Sequence, residues 1–116
     1  MTHEMNLRPD PFGKIKRGEK TIELRLYDEK RQKIQVGDTI EFVNTRDESE
    51  RITAEVLALY VFNSFEELFQ SLPLTRCGYT EETAAKASPA DMNKYYSKGL
   101  QRKYKALGIE IRVVKN

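Results

Sequence analysis

The stretch Gly18-Glu19-Lys20-Thr21-Ile22-Glu23-Leu24-Arg25 constrains the fold most, because it sets charged groups and a hydroxyl inside what otherwise reads as the start of a buried strand. From Thr21 to Tyr27 the chain alternates: Ile22, Leu24 and Leu26 share one parity, and Thr21, Glu23, Arg25 and Tyr27 share the other. That is the period of a half-buried β-strand. One face is read as core and the other as chemistry. Side chains two apart on a strand stand roughly 6–7 Å apart at their bases, so Glu23 and Arg25 can pair or grip one ligand together. Gly18 marks a turn into the strand where a left-handed backbone needs no Cβ. Lys20 has the parity of the apolar residues, so it reaches the polar face only if the chain bends at the strand entrance.

The flanking segments place this strand. A first strand near His3 to Arg8 ends at Pro9-Asp10-Pro11, and Phe12 and Ile15 suggest one face of a helix over about residues 11–18. After this strand, Asp28-Glu29-Lys30-Arg31 has neither period and reads as a loop reaching over the strand's polar face, a candidate lid over Asp28 to Lys33. Thr39 to Asn44 reads as a strand, Thr45 to Glu50 as a polar connection, and Arg51 to Phe62 as a long strand whose strict alternation is lost after Val56. Such a loss fits a strand buried on both faces or bent by barrel closure. The region from Asn63 to Leu107 reads as helical and punctuated. Ser64 offers a cap for a helix that Pro73 stops, Thr80 starts a second, and Ser88-Pro89 starts a third. If the third continues past Gly99, Lys94, Lys98 and Arg102 recur every four residues beside Tyr95 and Tyr96. These tyrosines read either as half-buried anchors or as stacking surfaces for bases. Gly108 to Val114 alternates as a closing strand.

The pattern Gly-x-Lys-x-x-Glu-x-Arg, here Gly18, Lys20, Glu23 and Arg25, resembles the signature of the ASCH domain family, a compact β-barrel module related to PUA domains. Met5-Asn6-Leu7, Pro11 to Lys16, Val36 to Ile40 and Leu107 to Ile111 extend the resemblance over nearly the whole chain. It implies one ASCH/PUA-like domain over residues 1–116, of α+β class. The expected architecture is a mixed, mostly antiparallel β-barrel of five or six strands with about three short helices before the last strand. The family resemblance implies a cleft and RNA binding. Some relatives are amidohydrolases of acetylated cytidine nucleosides, and ribonuclease activity is attributed to others. In the amidohydrolase-like sequences a threonine stands where this chain has Glu23, so their proposed nucleophile is absent here, and Thr21 matches a different position.

Composition bounds the remaining possibilities. A chain of 116 residues, 33% charged and 39% hydrophobic, can bury one core. No segment has the order of a signal peptide, and no apolar run approaches the ~20 residues of a membrane span, so a soluble, cytoplasmic and monomeric protein is expected. Cys77 is the only cysteine and His3 the only histidine, which disfavours a disulfide, a zinc site or a histidine-based triad; no metal and no cofactor is expected. The net charge of +2 conceals segregation: residues 8–33 carry nine Lys or Arg against five Asp or Glu, residues 38–67 two against eight, and residues 86–105 six against one. Two basic segments folded together would attract phosphate.

Two functional readings follow. In the first, a PUA-like module holds RNA, a nucleotide or a nucleoside through Lys20, Thr21, Glu23, Arg25 and Tyr27. Arg25 supplies a planar fork for a phosphate or base edge, Glu23 accepts from an exocyclic amine, and Lys20 supplies a cation. In the second, a small metal-independent hydrolase of modified nucleosides or RNA uses Lys20 as base or activator and Glu23 as proton carrier. Against both stands a structural reading, in which Glu23 and Arg25 form a partly buried salt bridge at the strand entrance.

Overall fold

The computed structural model describes residues 1–114. Five strands form one sheet in the order β1-β3-β4-β5-β2, with β1 at Thr2–Leu7, β2 at Ile22–Tyr27, β3 at Thr39–Asn44, β4 at Arg51–Phe62 and β5 at Lys105–Val113. β1 lies parallel to β3 and every other pairing is antiparallel. The sheet curls into a half-barrel, so its two edge strands approach each other, and the Arg25 guanidinium reaches from β2 to the backbone carbonyl of Asn6 on β1 at 2.8 Å. The bend of β4 is local: Val56 pairs with Ile111 and Ala58 with Glu110, leaving Leu57 as the extra residue of a β-bulge. This is the point at which the apolar alternation breaks in the sequence.

Helix α1, Pro9–Lys16, follows β1 with Pro9 in its first turn, Asp10 at its positive end and Lys14 and Lys16 at its negative end. It buries Phe12 and Ile15 against the core inside the curl, among Met5, Leu7, Phe42, Leu107 and Ile109. Its end is a Schellman motif: Glu19 N–H donates to the Lys14 carbonyl at 2.9 Å, Gly18 N–H to that of Ile15 at 3.0 Å, and Gly18 sits at φ +79°. The glycine of the signature is therefore a helix stop that turns the chain into β2. Lys20 N–H also donates to the Lys14 carbonyl, at 3.1 Å, which supplies the bend at the strand entrance that the position of Lys20 requires.

Between β4 and β5 the chain makes a helical excursion: α2 at Phe65–Ser71, a 3-10 turn at Leu74–Arg76, α3 at Glu81–Ala84, a 3-10 segment at Pro89–Lys94 and α4 at Lys98–Lys103. It is more broken than the three helices expected. The third helix stops at Lys94, and Ser97 caps a new one, so Lys94, Lys98 and Arg102 form no continuous stripe. A second apolar cluster of Leu26, Phe65, Leu68, Met92 and Ala106 binds this excursion to the outer face of β2 and β5.

Both faces of β2 are thus covered. Glu23 and Arg25 stand opposite Ile109 and Leu107 of the main core, whereas Leu24 and Leu26 stand opposite Gly108 and Ala106 and pack toward the helices. The division into a core face and a chemical face is corrected accordingly. The charged parity points toward the open end of the half-barrel, and the apolar parity is the one the helical excursion covers.

Candidate ligand-binding cleft

A cleft of about 690 Å³ opens along the unpaired side of β2. Three segments make most of its walls: Asn6 to Lys14 from the end of β1 and α1, Lys20 to Arg25, and, from far along the chain, the excursion between Cys77 and Tyr96. At its inner end the signature charges close on one another. Glu23 is 3% exposed, and its two oxygens are divided between Lys20 Nζ at 2.7 Å and Arg25 Nε at 2.8 Å. Burial alone would push the Glu23 carboxyl up. The attraction of Lys20 and then Arg25, with their hydrogen bonds, outweighs it and holds the group at about 2. Glu23 is therefore an anion throughout the neutral range, and its two cations are oriented by it.

The opposite wall holds Lys20 in place from above. Gly78, at φ +104°, lies against the lysine stem, and a Cβ there would stand 3.3 Å from Lys20 Cδ. The Gly78 carbonyl accepts from Lys14 Nζ at 2.8 Å, tying α1 to the excursion across the cleft. Tyr79 donates to Asp91 at 2.9 Å, and Asp91 also caps the Pro89–Lys94 segment by accepting from Ser88 N–H at 3.2 Å. Cys77 lines the cleft with a thiol that burial pushes up to about 11, which leaves it a poor nucleophile.

The expected site residues separate. Lys20, Glu23 and Arg25 come together in the cleft; Thr21 and Tyr27 do not line it. The Thr21 hydroxyl accepts from Arg76 Nε at 2.9 Å, and Arg76 continues to Glu110 at 3.2 Å, so Thr21 belongs to a clamp that fixes the start of the excursion to the sheet. Tyr27 packs on the main core. The candidate lid is also corrected. Asp28 to Lys33 folds on itself through the Arg31 to Asp28 ion pair at 3.2 Å, Glu29 accepts from the Tyr104 hydroxyl at 2.6 Å, and none of that loop reaches the cleft. The roof is the helical excursion instead.

Residues that the signature does not contain complete the lining: Arg8, Lys14, Lys86, Lys94, Tyr79 and Tyr95. Their signal in the sequence was the pair of basic segments, 8–33 and 86–105, which meet here. In all, six cations and three carboxylates line the cleft. A smaller cavity of about 280 Å³ beside α2 and α4 is lined by Glu66 with no cation. Among the described residues, no group of three His, Cys, Asp or Glu side chains is placed to hold a metal ion, and no helix is long and apolar enough to cross a membrane.

A family model for the ASCH domain matches residues 5–114. This chain belongs to the ASCH domain family. The same family-wide shape is seen in solved structures. Hypothetical protein PH0355 is 30% identical over 98% of this chain and all of its own, with a TM-score of 0.79. Protein PF0455 from Pyrococcus furiosus is 30% identical over the full length of both chains, with a TM-score of 0.71. The ASCH protein from Zymomonas mobilis shares the fold at 20% identity, covering 96% of this chain and 66% of its own, with a TM-score of 0.63. No functionally curated protein matches the chain. As an ASCH domain, this α+β half-barrel has the PUA-like architecture for which RNA binding is the general expectation.

Proposed function

We propose that this ASCH domain binds RNA, or a nucleotide or nucleoside portion of it, in the cleft between the signature strand and the helical excursion. The observation that carries this reading is the convergence of both basic segments on one cavity, with cations outnumbering carboxylates six to three along its walls. Such a concentration of positive charge in a concave site draws polyphosphate ligands and releases their counterions. The volume suits a nucleotide, which falls within the roughly 300–1,000 Å³ usual for small-ligand sites.

The hydrolase reading finds less support in the geometry. A carboxyl held at about 2 with both oxygens engaged has no proton to deliver at neutral pH and is too weak a base to take one efficiently. The reading that Glu23 arranges Lys20 and Arg25, rather than carrying protons, accounts for the same contacts.

Incubating the protein with short RNAs, nucleosides and modified nucleosides, then following retention and product by mass spectrometry, tests both. The expected result is retention without turnover, weakening with salt at a log–log slope of roughly −0.7 for each single-strand phosphate contacted. A flat salt response, or no RNA retained at low salt, would overturn the binding reading. Product formation that Glu23→Gln abolishes would restore the enzymatic one.

A further inference from the structure

The chain has six tyrosines, and five of them are committed within the protein. Tyr27 packs on the main core and Tyr96 stacks on Phe65 at 6.2 Å; Tyr60, Tyr79 and Tyr104 donate their hydroxyls to Glu110, Asp91 and Glu29. Tyr95 differs on each count. It is 58% exposed, it belongs to neither apolar cluster, and among the described residues its hydroxyl has no hydrogen-bond partner. It nevertheless lines the cleft, and the Arg8 guanidinium lies over its ring at 5.7 Å from the centroid. Three cations of the lining, Arg8, Lys86 and Lys94, form no ion pair among the described residues, whereas Lys14, Lys20 and Arg25 do.

An uncommitted aromatic face next to unpaired cations is the chemistry that takes a base and its phosphate together. Every nucleobase offers a π-face to such a ring, and a guanidinium stacked on it adds cation–π attraction. We infer that Tyr95, with Arg8, is a stacking platform for one unpaired nucleobase, so that the cleft selects single-stranded RNA over duplex. This rests on the proposed RNA-binding reading and adds the class of RNA and the residues that select it. Duplex bases are stacked on each other and present no free face, so the platform excludes them by geometry, not by charge.

The test is a cycle between ring and base. The protein, Tyr95→Ala and Tyr95→Phe are titrated with a mixed-sequence single-stranded RNA of about eight nucleotides, an abasic strand of equal length and a hairpin duplex whose loop is a linker without bases. Far-ultraviolet circular dichroism verifies the fold of each variant. Tyr95→Ala is expected to weaken the single strand by ~10-fold or more while leaving the abasic strand unchanged, and Tyr95→Phe to retain the wild-type affinity. The wild type is expected to favour single strand over hairpin. Equal weakening of both strands by Tyr95→Ala, no weakening at all, or equal affinity for the hairpin overturns the platform and leaves the RNA-binding reading standing. Failure of the wild type to bind either strand overturns that reading, and the platform with it.

Discussion

The inner and outer ends of the cleft are built on opposite principles. At the inner end Lys20, Glu23 and Arg25 satisfy one another at 2.7 and 2.8 Å behind a carboxylate that is 3% exposed, and Arg25 spends a further donor on the Asn6 carbonyl. At the rim Arg8, Lys86 and Lys94 have no ionic partner among the described residues, and Tyr95 is exposed, outside both apolar clusters, with the Arg8 guanidinium over its ring. The signature residues thus serve first as architecture: they fix the strand entrance, join the two sheet edges and set the shape of the cavity. On the proposed reading, recognition falls chiefly to residues outside the signature, whose charges and ring are not already used. Lys20 and Arg25 also line the same cleft, so both ends lie on one cavity.

The largest expected effect tests the inner end. Glu23→Gln removes the buried charge that two half-buried cations share, and should cost on the order of 3–5 kcal/mol by denaturant unfolding at neutral pH. Its pH dependence is specific. The Glu23 carboxyl is depressed from its ordinary 4.5 to about 2, so its stabilisation is fully present above 4.5 and is lost as the pH falls toward 2. The gap in stability between wild type and Glu23→Gln should therefore close over that window. Asp38, which the His3 hydrogen bond and the Gln35 N–H pull down to about 2, continues to titrate in both proteins and leaves a residual acid sensitivity. If Glu23→Gln unfolds no more easily than wild type at pH 7, the inner end is not architectural and the comparison between the two ends collapses.

A smaller effect distinguishes two leucines that the sequence pattern treats alike. Leu26 is 4% exposed inside the second apolar cluster, whereas Leu24 lies only partly buried on the cleft wall. Leu26→Ala should lose roughly 2–5 kcal/mol, and Leu24→Ala distinctly less. Chemical denaturation of the two variants side by side ranks them; equal losses would show that the excursion packs on the whole strand. The smallest effect on stability belongs to the rim. Lys86→Ala and Lys94→Ala should stay within about 0.5 kcal/mol of wild type. Each should nevertheless lower the salt slope of RNA binding by roughly 0.7 where it meets a phosphate.

What the sequence disclosed follows from how local each determinant is. The existence of β2, the turn at Gly18, the strands at Thr39–Asn44 and Arg51–Phe62 and the irregularity after Val56 are written in neighbouring residues, and the structure bears them out, whereas which face of β2 meets the core is not. The ion pairs of Glu23 were also within reach, since its partners lie within three residues. The far wall of the cleft was not. Gly78 against Lys20 and Lys14 across the cleft, and Asn6 against Arg25 between the two sheet edges, are meetings that leave no periodic trace. The loop after Tyr27 misled for a related reason: its charges read as free, but Asp28 and Arg31 neutralise each other and Glu29 is held by Tyr104, 75 residues away. Thr21 has the parity of Glu23 and Arg25, yet it precedes the first residue of β2, and the backbone there turns it toward Arg76.

The strand order has a consequence for how the protein comes into being. In the sheet of the described residues β2 pairs with β5 alone, and β5 also pairs with β4, so the strand that comes last in chain order sits between two that precede it. As the chain emerges from the ribosome, β1, α1, β3 and β4 have their partners at hand, but β2 waits with Ile22 and Leu26 uncovered until the residues near 105–113 arrive. Contacts closed over such separations form slowly, and an unpaired apolar strand is a template for wrong pairings in the interval. The cleft, whose central wall is β2, is therefore among the last parts of this domain to form, and a nascent chain lacking β5 has no assembled cleft.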